Sequence, residues 1–145
     1  MKNRIYAEAM ICAILFLFIG AVLVQGEIDS AEREITITNA SFVAPSPERE
    51  NLNGEWVEIS NPGESDENLA GWKLEDRQNH TYTFPDFILK AGASARIHTG
   101  IGSDTSEDLY WNRNTAIWNN DGDTATLKDA SGDIVSRYPE EAKGA

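Results

Sequence analysis

Cysteine is almost absent from this chain, and the one present, Cys12, sits in an apolar stretch near the start. The remainder has no disulfide and no thiolate ligand, which excludes a disulfide-stapled scaffold. The fold must stand on its core alone, which is feasible at about 110 residues. Bases are also scarce, 12 Lys and Arg against 24 Asp and Glu, for a net charge of −12. Beyond Gly26 the balance is 10 bases to 23 acids. Such a chain repels phosphate backbones and anionic membrane surfaces, which argues against nucleic acid as a partner. The acids are scattered, so they read as a solvated surface rather than a binding patch.

Histidine occurs twice, as His80 and His98. With no cysteine and no carboxylate at fixed spacing they make no zinc site, and no serine set completes a triad. Gly100-Ile101-Gly102 runs into acids rather than a helix start, so it is not a phosphate-gripping loop. A helical period is missing beyond Gly26, and so is any internal repeat. These absences point away from an enzyme: no catalytic residue, no metal site and no cofactor is assigned.

What is present begins with a leader. Lys2 and Arg4 precede an apolar run of 16 residues, Ala9 to Val24. A bilayer span wants about 20, and a signal-peptide core about 7–15. Residues 1–26 therefore read as one hydrophobic helix, either a signal peptide cleaved after Val24-Gln25-Gly26 or an uncleaved N-terminal anchor. In both cases the basic start stays inside and the rest is exported. The protein is then secreted or anchored to the outer face of the cell membrane, and meets the membrane only through this segment. Residues 27–34 are a polar linker, 35–139 the domain, and 140–145 a tail.

The domain reads as strands and turns. Ile35-Thr36-Ile37-Thr38 alternates and is β-branched, and a parity change before Phe42 predicts a bulge near Asn39. Residues 54–74 look like two strands around a polar turn, with Trp56 in one and Trp72 in the other. Within the first, Glu55, Val57 and Ile59 share a face, opposite Trp56 and Glu58. Gly71 reads as a place where another backbone comes close. Further strands are expected at 80–84, 94–99, 109–111, 116–118, 123–128 and 133–138, with turns between them. Eight or nine short strands with turn signals at regular spacing make an all-β sandwich.

The order of these signals resembles the lamin tail domain family. The matching residues are Glu55-Trp56-Val57-Glu58-Ile59-Ser60-Asn61, Leu69-x-Gly71-Trp72-x-Leu74, and Thr81-Tyr82-Thr83-Phe84-Pro85. They continue with Leu89-Lys90-Ala91-Gly92, Gly100-x-Gly102, Asp108-Leu109-Tyr110-Trp111, Asn114-Thr115-x-x-Trp118, and Ala125-Thr126-Leu127-x-Asp129-x-x-Gly132. The resemblance implies an immunoglobulin-like β-sandwich and a non-enzymatic module of the exported, prokaryotic type. The chain departs from nuclear lamins in having no coiled-coil rod, so filament roles do not carry over.

Three groups of residues remain as candidates. Trp111 and Trp118, flanked by asparagines, are the tryptophans expected to be partly exposed and so the candidate ligand-binding pair. Packing in the sandwich is the competing reading for all four indoles. Asn39 and Asn79 open N-glycosylation sequons. Asn119-Asn120-Asp121-Gly122-Asp123 has only part of a calcium loop, because Ile117 falls where the first ligand belongs, and turn chemistry explains it better. Glu55 and Glu58 lie on opposite faces of one strand, which excludes a glycosidase pair; each is expected to be ion-paired or solvated. The expected role is interaction or adhesion at the cell surface, with an unidentified protein or surface polymer as partner. The loops at 44–53 and 100–108 are then the natural contact surface. The alternative is an accessory module that targets a secreted hydrolase or nuclease to polymer or nucleic acid.

Overall fold

Alternation in Trp56-Val57-Glu58-Ile59-Ser60 becomes strand β2 (Trp56–Ser60), with Val57 and Ile59 fully buried and their neighbours half-buried. The computed structural model describes residues 34–140. The expected leader helix, the linker up to residue 33 and the tail beyond Glu140 lie outside the described residues. β2 is flanked by β1 (Thr36–Ser41) and β7 (Ser94–His98), both antiparallel to it, and β8 (Asp108–Tyr110) joins β7 in parallel. The first sheet thus runs β1-β2-β7-β8. The second runs β10-β9-β4-β5, from β4 (Lys73–Glu75), β5 (Thr81–Thr83), β9 (Ala125–Lys128) and β10 (Ile134–Tyr138). A small ladder pairs β3 (Glu67–Asn68) with β6 (Ile88–Leu89).

The bulge expected near Asn39 is present: the β1–β2 register shifts between Ile37 and Asn39. It keeps Ile37 in the core while turning Ala40 and Phe42 to pack against it. The two sheets approach along β1 and β10, where the Ile37 N–H donates to Ser136 Oγ at 2.9 Å. Between them lie Val57, Ile59, Ala95, Ile97 and Leu109 from the first sheet, against Leu74, Tyr82, Phe84, Ala125 and Leu127 from the second. Each fully buried aliphatic side chain contributes about 1.5–3 kcal/mol.

Two expectations need correction. Residues 54–74 do not form a hairpin. β2 pairs with β1 and β7, whereas β4 lies in the other sheet. Asn61 makes the corner: its side chain is buried, and Nδ2 donates to Ser65 O and Leu89 O at 2.8 and 3.0 Å. Its Oδ1 accepts the Gly63 N–H at 3.0 Å. A buried amide that satisfies this many backbone groups lets the chain leave one sheet for the other. Another backbone does come close at Gly71, whose N–H donates to Phe84 O at 3.0 Å; a Cβ there would meet only Ala130 Cβ at 3.8 Å, so its φ of +79° is what favours glycine. Residues 116–118 are not a strand. The Ile117 N–H instead donates to the Glu55 carboxylate at 3.2 Å.

Candidate functional site

At one end of the sandwich the chain leaves β1, wraps through two short 3₁₀ turns (Glu48–Glu50 and Leu52–Gly54) and enters β2. At the same end β7 runs out into Thr99, Gly100 and Ile101, and β8 into Arg113 and Asn114. A groove of about 480 Å³ opens between these segments. Arg49, Glu50 and Asn53 line one side; Ile101, Arg113 and Asn114 line the other.

The two walls are tied together. Asn53 Nδ2 donates to Ile101 O at 3.0 Å. The Gly100 backbone sits so tightly on Asn53 that a Cβ there would lie 2.3 Å from Asn53 Oδ1, and a Cβ on Gly54 would lie as close to the Pro45 ring. His98 anchors the wall from below: Nδ1 lies 2.9 Å from Asn53 O, Nε2 lies 2.9 Å from Asp108 Oδ1, and the ring stacks on Tyr110 at 5.1 Å. Either contact can take an imidazole N–H, but only the doubly protonated ring serves both at once. The N–H groups of Asn112 and Arg113 donate to Gly100 O and Thr99 O at 3.0 and 2.9 Å, which fixes the second wall.

Beneath the groove, one residue inward from Gly54, lies Glu55. It has no exposed surface, and its neighbours are the Ile117 and Trp118 backbone and the Thr99 hydroxyl. Burial pushes its carboxyl above the usual carboxylate range, and the surrounding donors only partly offset this. Oε1 and Thr99 Oγ1 make no hydrogen bond among the described residues. Glu55 is therefore shielded from solvent and makes no ion pair among the described residues, contrary to expectation. Glu58, on the outer face, does pair with Arg96 at 2.9 Å. Arg96 also stacks over Trp56, 4.2 Å from the ring centroid, so that indole packs outside the core.

The loop at 101–107 folds back over the free edge of β8. The Tyr110 and Asp108 N–H groups donate to Asp104 Oδ1 and Thr105 Oγ1, each at 2.9 Å, which closes that edge to strand addition.

Trp111 and Trp118 are brought together edge to face, 6.1 Å between centroids. Trp118 is only 3% exposed and stacks on Phe42 at 5.0 Å, and Trp111 is half-buried against Tyr82 at 5.9 Å. The pair belongs to a run of rings, Tyr138-Phe42-Trp118-Trp111-Tyr82-Phe84, that crosses the core. Neither tryptophan lines the groove. Asn39, at the β1 bulge, and Asn79, at the β4–β5 turn with φ of 67°, are both exposed. In the 119–123 turn the donors' partners are internal. Asp123 accepts the N–H groups of Asn119, Arg77 and Thr124, and Asn119 Oδ1 accepts that of Asp121.

The Lamin Tail Domain family model matches residues 29–141, a span that contains the ten strands of the described residues. The chain belongs to the lamin tail domain family. Lamin tail domains are a non-catalytic, immunoglobulin-like family, and among the described residues no three His, Cys, Asp or Glu side chains gather as a metal would need. In this lamin tail domain the gathering of end loops is the feature to explain. Sequence reasoning singled out both loops but not the groove's arginines, 64 positions apart (113 − 49). For Glu55 the signal was available: alternation put it on the face of Val57 and Ile59.

Proposed function

We propose that this lamin tail domain protein is an exported, non-enzymatic interaction module that receives its partner in the end groove. The observation that carries the reading is the Asn53–Ile101 bond, with His98 beneath it, holding the groove's two walls in one fixed arrangement. Ordering a loop on binding costs affinity, and walls ordered in advance avoid that cost. Loop ends of a sandwich are where such scaffolds carry recognition. Ile101, 70% exposed, offers an apolar contact at the groove lip. Export is supported by the basic start and apolar run of residues 1–26.

Photo-crosslinking in intact cells tests the reading. A photoreactive residue is placed at Ile101 in the full chain and, as a control, at Ile88, which is 53% exposed near the opposite end of the sandwich. The expected result is a discrete adduct from the Ile101 position alone, with the chain digested by protease added outside the cells. Equal adducts from both positions, or protection from the protease, contradicts it.

A further inference from the structure

We propose that the end groove takes an acidic peptide segment, with a carboxylate of the peptide held by Arg49 and Arg113. This rests on the groove being the partner surface.

The argument starts from where this acidic domain leaves its cations uncommitted. Eight Lys and Arg lie among the described residues: Arg49, Lys73, Arg77, Lys90, Arg96, Arg113, Lys128 and Arg137. Lys90, Arg96 and Lys128 pair with Asp66, Glu58 and Glu75, and Arg77 bonds Thr124. Arg137 is also engaged. The side chains of Arg49, Lys73 and Arg113 make no ion pair or hydrogen bond among the described residues. Two of these three line one groove. With 23 acids beyond Gly26, a pair of arginines left uncommitted in one cleft is not what charge balance alone produces.

Glu50 lies on the same lining, so the groove carries two positive charges and one negative. Of the acids near the lining, Glu48 is turned to Asn120, whose Nδ2 donates to it at 3.0 Å, and Glu55 is buried beneath the groove, away from a docked ligand. Distant acids are screened beyond about 8 Å at physiological salt, so local charge governs a docked ligand. Guanidinium forks match carboxylates in two-point contacts, which gives both strength and orientation.

Peptide rather than sugar follows from the rest of the lining. No aromatic ring lines the groove, so it lacks the flat apolar face on which a sugar ring packs. It does have Ile101 and Pro45 for an apolar side chain. The Asn114 carboxamide makes no hydrogen bond among the described residues and offers the donor and acceptor that a peptide unit requires.

The test uses the full chain and an array of short peptides, each Asp- or Glu-bearing member matched by its Asn or Gln counterpart. Polygalacturonate and inorganic phosphate are separate probes. A subset of acidic peptides should bind, their amide counterparts should not, and binding should weaken with added salt. Arg49→Ala and Arg113→Ala should each lose about tenfold or more in affinity. Arg113→Lys should restore little, because the fork is gone. Lys73→Ala removes the third uncommitted cation away from the groove and should change nothing. Binding of amide peptides equal to that of acidic ones overturns the proposal. So does unchanged affinity in both arginine variants, or retention of polygalacturonate or phosphate with no peptide bound. If the Ile101 adduct forms in cells while acidic peptides fail, the groove reading stands and the acidic ligand falls; if Ile101 and Ile88 behave alike, the groove reading itself falls.

Discussion

A carboxyl group with no exposed surface, and no ion pair among the described residues, sets the terms at the residue scale. Glu55 has a folded-state pKa raised by burial, so the folded chain holds its proton more tightly than the unfolded chain does. By linkage, its stabilising contribution is complete below the unfolded value of 4.5 and is lost as pH rises through the raised folded value. Above the unfolded value, folding must either keep that proton or bury the charge, and either costs stability. Glu55→Gln keeps an acceptor for the Ile117 N–H and offers Thr99 Oγ1 a donor. It should raise stability at pH 7 by about 1–3 kcal/mol and remove this part of the pH slope, as read by urea unfolding at several pH values. A loss of stability at pH 7 in that variant would contradict this. His98 is the other residue with a disproportionate share: His98→Ala should free Asn53 and Asp108 together, lowering stability by about 1–2 kcal/mol. It should also speed amide exchange at Asn53, Gly54 and Ile101.

Strands and turns were legible to different degrees, for reasons that lie in the elements themselves. Alternation in 56–60 and the bulge at Ile37/Asn39 could be read directly, because side-chain parity is a local property. Partner choice is not local. Nothing in residues 54–74 says that Asn61 is a corner rather than the head of a hairpin, since the carbonyls it satisfies include Leu89 O, 28 residues away. The parallel β7–β8 pairing and the tiny β3–β6 ladder are likewise set by tertiary contact, not by propensity. Turns carried by a buried aspartate are clearer. Asp123 accepts three backbone N–H groups and Asp76 accepts those of Gln78 and His80, with His80 Nδ1 at 2.6 Å. Asp123→Ala orphans those donors and should cost about 2–4 kcal/mol, seen as a lower urea midpoint with an unchanged slope. Leu127→Ala, in the strand between β10 and β4, should cost about 2–5 kcal/mol through the cavity it leaves.

Over the whole molecule, two sheets joined along β1 and β10 hold a ring-filled core, and the loops at one end inherit that rigidity. The indoles flagged in the sequence as a binding pair are largely absorbed by this core, which is the ordinary fate of large rings in a sandwich. The groove was invisible beforehand, because its walls come from chain segments some fifty residues apart that only the fold brings together. Rigid scaffold and end groove make one claim: recognition happens where Asn53 meets Ile101. The most direct measurement follows backbone amide and arginine Nε–Hε signals of the full chain as the tightest acidic peptide from the array is added. The account predicts saturable shifts at Asn53, Gly100, Ile101, Asn114 and the side chains of Arg49 and Arg113, with Arg77 and Arg96 still. Shifts spread evenly over all the arginines, or centred on the Ile88 end, would contradict it.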